Sequence, residues 1–345
     1  MERTLYISPS PHLKDRDSIP KIMYTVILAL VPAGIGSVYL FGLRALYVML
    51  LTIAAALLSE ALCQKIMKRP ITINDGSAIL TGLLLAYNLP AEVPFWLPVV
   101  GAFFAIAIGK MAFGGLGYNP MNPALIGRAF LMSSWPLHMT VFKTVPRGGT
   151  LSGITAITSA TPLNVYKHAR EIVLNAGTIA PEHVTEVTKA TNTLLEYSNN
   201  YSELFWGRIG GCLGETSVAL LLLGAVFLMY KRIIGWKIPF FYIGTVALLT
   251  WIFGGTNGNL FSGDPLFHVL SGGLILGAFY MATDMVSSPV TFKGRIYFGI
   301  GCGVLTVIIR LWGGYPEGVS YSILLMNLVT PLLDKYTKPK TFGGK

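Results

Sequence analysis

Long apolar runs alternate with short polar segments along most of the chain. A helix needs about 20 apolar residues to cross a bilayer, and most of the runs approach that length. The third run is too short to span as a simple helix, and both the third and the eighth are rich in Gly, Ser and Thr, which favours broken or re-entrant helices. The pattern predicts an all-α polytopic membrane protein with about ten transmembrane segments: Ile22–Phe41, Ala45–Gln64, Ser77–Leu89, Phe95–Phe113, Pro120–Leu137, Cys212–Tyr230, Ile238–Gly254, Leu266–Ala282, Ile296–Trp312 and Val319–Leu333.

The composition supports a membrane protein and excludes several other classes. The chain is 53% hydrophobic and 12% charged, whereas soluble domains carry about 25% charged residues. The net charge of +10 does not indicate a nucleic-acid partner, because the basic residues form no continuous basic face. The cysteines lack C-x-x-C spacing and the histidines form no pair at helical spacing, which argues against iron–sulfur, zinc and haem sites. We expect no cleavable signal peptide, since the first apolar run is long enough to span.

The basic residues predict the orientation in the membrane, because Lys and Arg collect in cytoplasmic loops. With the N-terminus inside, the short outer connections hold only Arg44 and, at the margin, Arg310. Both termini are then cytoplasmic, in a prokaryotic inner membrane, and the long loop 138–211 lies outside. The cytoplasmic side collects most of the basic residues: Arg3, Lys14, Arg16, Lys21, Lys65, Lys68, Arg69, Lys110, Lys231, Arg232, Lys237, Lys293, Arg295, Lys335, Lys338, Lys340 and Lys345.

Two sequence similarities indicate an internal repeat. The stretch Leu80–Leu85 parallels Leu270–Ile275, and Gly114–Pro120 loosely parallels Gly313–Pro316. Each half then holds five segments, and an odd number gives the halves opposite orientations, as in inverted-repeat transporters with a site near the midplane. The alternative is that Gly-rich apolar segments resemble each other by chance. The predicted division is 1–21 (cytoplasmic segment), 22–137 (first repeat), 138–211 (outer loop), 212–333 (second repeat) and 334–345 (cytoplasmic tail).

The long polar loop contains Thr158-Ser159-Ala160-Thr161-Pro162-Leu163. From the residues alone, Thr161 is a helix N-cap and Pro162 occupies the first helical position of a helix that continues to Leu174. A phosphate at this position would also be stabilised by the free N–H groups of the helix.

Three further motifs occur in the apolar part of the chain. They are Gly117–Leu131, Gly211–Ser217 and Met281–Pro289. Together with the sequence around Thr161, these motifs resemble those of the RnfD/NqrB family of membrane redox subunits, in the family's order and over nearly the whole chain. The length is closer to the RnfD branch, which belongs to the Rnf electron transport complex.

The resemblance implies one subunit of a complex that moves electrons between reduced ferredoxin and NAD and couples this to Na⁺ or H⁺ transport. It also implies a fold similar to urea transporters, with two inverted five-helix repeats. In the family, the final Thr of an S/T-x-A-T sequence carries FMN through a phosphoester bond. The resemblance therefore assigns covalent FMN to Thr161. The small side chain of Ser159 is expected to leave the hydroxyl of Thr161 accessible. Family members also bind a second, non-covalent flavin, riboflavin. The implied partners are the other members of the complex, a flavin transferase and membrane lipid.

The attachment sequence departs from the family pattern at two positions. The usual sequence is S/T-G-A-T, often with an Asp six residues before the Thr. Here Ser159 replaces the Gly and Thr155 occupies the Asp position. The small Ser is compatible with attachment, whereas the missing acid affects how a transferase engages the loop.

Charged residues within the segments are the other candidates. Arg128 lies in a span, where a charge costs about 2.5–3.5 kcal/mol; it is expected either to contact a flavin or to bond carbonyls freed by Pro123. Glu60, Asp75 and Asp284 are candidates for an ion path or a subunit interface, with capping or interfacial roles as the alternatives. Glu215 is expected to interact with the dipole of the sixth span.

Three functions are compatible with these observations. The first is an electron-transfer subunit with covalent FMN and no complete active site of its own, because the chain has no dinucleotide fingerprint and no cluster cysteines. The second is a solute channel or transporter of the same inverted-repeat fold without redox chemistry. The third is an anchor for other redox subunits.

Overall fold

The computed structural model describes residues 17–143, 158–159, 161–174, 187–189, 191–192, 200–215, 217–255, 259–315 and 317–339. Thr155 lies outside these residues. The principal helices are α1 (Ile19–Phe41), α2 (Leu43–Ile66), α3 (Ser77–Tyr87), α4 (Trp96–Ala107), α5 (Pro123–Ser134), α6 (Pro136–Met139), α7 (Pro162–Leu174), α8 (Tyr201–Trp206), α9 (Val218–Tyr230), α10 (Lys237–Phe253), α11 (Pro265–Leu270), α12 (Leu274–Leu276), α13 (Phe292–Trp312) and α14 (Val319–Tyr336).

Among the described residues, four helices are long and apolar enough to cross a membrane: α1, α2, Trp96–Phe113 and α13. The helices α3, α9 and α10 are shorter and also apolar. Many large apolar side chains on the long helices face outward, including Leu58 at 71% exposure and Ile35 at 66%. Outward-facing apolar side chains suit a lipid environment, so the prediction of a polytopic helical membrane protein is confirmed.

The third predicted segment is a short helix. Gly76, with φ of 77°, precedes α3, which ends after 11 residues at Tyr87. The residues that follow meet the second half of the chain: the N–H of Gly214 donates to the carbonyl of Tyr87 at 2.9 Å, and that of Leu213 donates to Leu89 at 2.9 Å. A Cβ at Gly214 would lie 2.2 Å from the Cβ of Tyr87, so this close approach of two backbones requires glycine.

The eighth predicted segment is interrupted. Helix α11 ends at Leu270, a turn follows with Gly272 at φ of 66°, and α12 leads directly into a π-helix over Gly277–Met281. Backbone groups released at such a break need new partners. Arg310 supplies two of them, since its guanidinium donates to the carbonyls of His268 at 2.5 Å and Ser271 at 3.1 Å.

One short strand pair accompanies the helices. Phe142–Lys143 pairs antiparallel with Thr158–Ser159, with Phe142 opposite Ser159. This ladder brings the chain just before Thr161 back to the end of the fifth predicted segment. The start of α7 is therefore anchored beside the helical bundle.

Candidate functional site

Thr161 begins helix α7 and is buried, at 5% exposure. Its Oγ1 accepts the N–H of Asn164 at 3.3 Å, and its carbonyl accepts the N–H of Val165 at 3.0 Å. Pro162 follows at the first helical position, where a missing N–H costs nothing. The structure therefore has Thr161 in the N-cap position predicted from the residues. Ser159 lies two residues before it in the strand pair.

Helix α7 is docked by its side chains onto the second half of the chain. Tyr166 stacks on Phe267 with ring centroids 4.5 Å apart. Arg170 donates from Nε to the carbonyl of Gly255 and from Nη2 to that of Phe253, both at 3.1 Å. Burial, with a contribution from the negative charge of Asp264, raises the pKa of Tyr166 to about 12. The helix that starts at Thr161 is thus fixed along its length.

Two further contacts tie α7 to breaks in the bundle. Leu163 lies over Gly272, where an added Cβ would be 2.6 Å from its Cδ1. The ammonium of Lys167 donates to the carbonyl of Gly313, at the end of α13. The flavin-attachment candidate therefore sits beside the interruption in the eighth segment.

Arg128 lies at the centre of a buried polar cluster. Asn122 caps α5 by accepting the N–H of Ala124 at 3.0 Å, and this helix carries Arg128 into the interior at 5% exposure. The guanidinium donates to Asn88 Oδ1 and forms an ion pair with Glu317, and it lies 3.9 Å from Cys212 Sγ. Its partners are side chains rather than the carbonyls freed by Pro123. A flavin contact for Arg128 remains a prediction.

Glu215 joins this cluster, and the side chain that caps the helix of the sixth segment is that of Ser217. Its Oε1 accepts the N–H of Cys212 at 3.2 Å, and its Oε2 has no hydrogen-bond partner. The nearest ligand atoms of Cys212, Glu215 and Glu317 lie within 4.8 Å of one another. Sequence reasoning missed Glu317 entirely, because it precedes its helix in a Gly- and Pro-containing loop. For Glu215, the available signal was a carboxylate at the start of a long apolar run.

A second buried ion pair connects two of the predicted residues. Lys110 Nζ lies 2.8 Å from both carboxylate oxygens of Glu60 and 2.6 Å from Ser77 Oγ. Ser77 in turn donates its hydroxyl to Asp75 at 2.5 Å and its backbone N–H at 2.8 Å. Asp75 thus accepts the first N–H of α3, although the N-cap position that was the alternative for Asp75 is occupied by Gly76. Glu60 and Asp75 are therefore linked through Lys110 and Ser77.

Asp284 lies apart from this chain of contacts. It accepts the hydroxyl of Ser287 at 2.9 Å and the N–H of Val286 at 3.4 Å. Asp284 nevertheless lines the same cleft as Ser77 and Lys110. Of the three predicted carboxylates, Asp284 therefore lines the cleft itself, whereas Glu60 and Asp75 contact its lining residues Lys110 and Ser77.

The cleft has an empty volume of about 780 Å³, which includes some open solvent, and lies between the two halves of the chain. Its walls are mainly apolar, with Leu84 from one half and Phe279 from the other. Asn119 is buried at 5% exposure, and its Oδ1 has no hydrogen-bond partner. Polar side chains are spread over the lining: Ser77, Thr81, Lys110, Asn119, Asn122, Thr283 and Asp284. Concave, mainly apolar cavities with a few polar groups are typical of small-molecule sites.

These features define an integral membrane protein with several buried charged groups inside a helical bundle and an amphipathic helix docked on it. The sequence model of the NQR2, RnfD, RnfE family matches residues 6–343. The chain belongs to this family, so the family resemblance of its motifs is confirmed.

Several relatives match nearly the whole chain. The chain is 49% identical over 339 residues to the D subunit of the proton-translocating ferredoxin:NAD(+) oxidoreductase complex of Clostridium ljungdahlii, covering 98% of this chain and 96% of the relative. It is 46% identical over 344 residues to the D subunit of the Na(+)-translocating ferredoxin:NAD(+) oxidoreductase complex of Acetobacterium woodii, covering 99% and 96%. A third relative, the D subunit of the ion-translocating oxidoreductase complex of Stutzerimonas stutzeri, is 40% identical over 331 residues, covering 95% and 93%.

Proposed function

We propose that this protein is the membrane-embedded D subunit of an ion-translocating ferredoxin:NAD oxidoreductase complex, and that it relays electrons through FMN bound covalently at Thr161. The observation that carries the proposal is the position of Thr161 at the head of a docked helix, in a chain nearly half identical to two such subunits. The other members of the complex and a flavin transferase are its partners. The names of these relatives favour this function over a solute channel of similar fold.

The residues around Thr161 fit a phosphoester. The hydroxyl oxygen already accepts the N–H of Asn164 at 3.3 Å, and a phosphate placed there gains the free N–H groups and the dipole of α7. When bound, FMN supplies a group that accepts and donates electrons. The chain's own residues position the attachment point beside the bundle.

The proposal includes the inverted-repeat architecture. Tyr87 donates its hydroxyl to the carbonyl of Leu30 at 2.7 Å, and Tyr280 donates to that of Leu221 at 2.7 Å. Each tyrosine hydroxyl also faces a glycine of the contacted helix region, Gly34 and Gly224 respectively. The two donor tyrosines are separated by between 190 and 200 residues, and so are the two acceptor leucines. This separation equals the repeat spacing predicted from the sequence. In this arrangement both termini are cytoplasmic and α7 is extracytoplasmic.

We propose that the cleft is the binding site of the second, non-covalent flavin. Its lining is mainly apolar with a few polar side chains, as is typical of small-molecule sites. An apolar wall suits a flavin ring, and the amide of Asn119 offers an acceptor without an internal partner. Riboflavin carries no phosphate, which agrees with a lining that contains a single basic side chain, Lys110.

The transported ion is not decided by overall similarity, because two relatives of nearly equal identity are named for different ions. We propose that Glu60, Asp75 and Asp284 border the ion path from the cleft. Glu60 is held by Lys110, so an ion reaching it competes with an internal ammonium group. Such competition is one way in which a buried carboxylate releases its ion again.

The experiment compares Thr161→Ala with Thr158→Ala, a threonine of the same loop. Each chain is produced together with a flavin transferase, run on a denaturing gel and viewed under ultraviolet light. We expect flavin fluorescence in the wild type and in Thr158→Ala and none in Thr161→Ala. Fluorescence that persists in Thr161→Ala contradicts the proposal.

A further inference from the structure

Two buried carboxylates approach each other where the ends of several segments meet. Glu215 is 5% exposed and Glu317 is 8% exposed, and their closest oxygens lie within 4.8 Å. The Oε2 of Glu215 has no hydrogen-bond partner. It points toward the interrupted segment, where a Cβ added to Gly273 would lie 2.9 Å from it. A fully ionised carboxylate with an unpaired oxygen is strongly disfavoured in such a place.

The charged groups that face this pair come from several elements. From α5, Arg128 is ion-paired with Glu317 and bonded to Asn88. From the loop before α9, Cys212 donates its N–H to Glu215 and places its Sγ within 4.8 Å of an oxygen of each carboxylate. From α13, Arg310 lies beyond Gly272 and gives both terminal nitrogens to carbonyl groups. Among the described residues, Arg128 is thus the only cation that forms an ion pair with either carboxylate, and it does so with Glu317.

We propose that Glu215 and Glu317 hold one proton between them, and that this pair is a proton-binding site of the membrane interior. One guanidinium within ion-pair distance neutralises one carboxylate, and two like charges this close cannot both remain ionised without a large penalty. Glu317, bonded to Arg128, is the ionised partner. Glu215, with its free Oε2, carries the proton.

A metal ion fits the same atoms less well. Cys212 offers a soft sulfur donor beside two hard carboxylate oxygens, a mixed set. Arg128 already occupies Glu317 and places a positive charge in the site. A proton needs no coordination shell and leaves the Arg128 ion pair intact.

The location of the carboxylate pair couples its proton to the flavin site, and this coupling rests on the proposed function. Gly272 lies directly between Leu163 and Glu317. A Cβ added to Gly272 would be 2.6 Å from Leu163 and 3.9 Å from Glu317. Leu163 is two residues beyond Thr161. Charge added to a flavin at the head of α7 would therefore act on the proton held directly beneath that helix.

The test is infrared spectroscopy of the full-length Thr161→Ala chain, which carries no attached flavin. At neutral pH we expect the C=O stretching band of a protonated carboxylic acid that shifts in D₂O. The band component should disappear in Glu215→Gln and shift in frequency in Glu215→Asp. It should be unchanged in Glu171→Gln, which alters an exposed carboxylate of α7.

Two results overturn the proton site. One is a spectrum that neither Glu215 variant alters, because Glu215 then carries no proton. The other is one tightly bound metal ion per chain that is lost in Cys212→Ser, because the cluster is then a metal site. Since the measurement uses a chain without attached flavin, either result leaves flavin attachment at Thr161 to be judged separately.

Discussion

The guanidinium of Arg128, in the first half of the chain, forms a buried ion pair with the carboxylate of Glu317, in the second half. Both side chains are less than 10% exposed. The pair joins the fifth predicted segment to the loop before the tenth. It therefore links the two halves at the point where the third and eighth segments are short or broken.

Removing one member of this pair should be far more damaging than removing both. Arg128→Met leaves Glu317 buried and uncompensated, which costs about 3–5 kcal/mol. In the double variant Arg128→Met, Glu317→Gln no unpaired charge remains, so most of that loss is recovered. Thermal unfolding in detergent measures the stability of the single variant and of the double variant. Equal loss in the single and double variants would show that the ion pair does not link the halves.

The pair formed by Glu60 and Lys110 should behave in the same way at the cleft. Lys110→Met leaves the buried carboxylate of Glu60 without its ion-pair partner, and we expect a loss of about 3–5 kcal/mol of unfolding free energy. The variant Lys65→Met removes an exposed lysine from the same helix as Glu60 and should change stability by less than about 0.5 kcal/mol. If both variants unfold alike, Lys110 does not balance Glu60.

The docking of α7 should weaken at high pH through Tyr166. Its folded pKa, about 12, lies above the ordinary value of 10.0, so the protonated form is favoured in the docked state. The stabilisation is complete below pH 10 and is lost as the pH rises toward 12, a difference of about 2–3 kcal/mol. The protection of α7 against hydrogen exchange, expressed relative to the intrinsic base-catalysed rate at each pH, should fall over this interval in the wild type and much less in Tyr166→Phe. Identical profiles would remove Tyr166 as the cause.

Docking of α7 should also limit flavin attachment, because Thr161 is 5% exposed. Tyr166→Ala removes the stacking on Phe267 and should increase the initial rate at which a transferase modifies the purified, flavin-free chain. His168→Ala changes an exposed residue of the same helix and should leave the rate unchanged. A rate that Tyr166→Ala does not alter would mean that the transferase reaches Thr161 in the docked state.

Filling the cleft should displace the proposed non-covalent flavin without affecting the proposed covalent one. Leu80 lines the cleft and is only partly buried, so Leu80→Trp extends into it. We expect denaturation of this variant to release much less riboflavin per chain, measured by chromatography. Leu62→Trp, at a residue 51% exposed on α2, is the matched control. Full release from both variants would place the flavin elsewhere.

The sequence predicted a polytopic helical membrane protein with a short third and an interrupted eighth segment, because apolar runs of bilayer length and Gly-rich breaks are local signals. It also predicted Thr161 as an N-cap, since Thr-Pro before an amphipathic helix is a local pattern. The Arg128–Glu317 pair was not predictable, because its partners are 189 residues apart in the chain. For the same reason the link from Glu60 to Asp75 through Lys110 became visible only in three dimensions.

The most direct measurement of the central claim is mass spectrometry of the tryptic peptide 148–167 from the mature chain. Cleavage after Arg147 and Lys167 isolates the attachment loop with Thr161. The account predicts a peptide heavier by one FMN less one water, with fragment ions that assign the addition to Thr161. An unmodified peptide from a host with a flavin transferase, or an addition on Thr158, would contradict it.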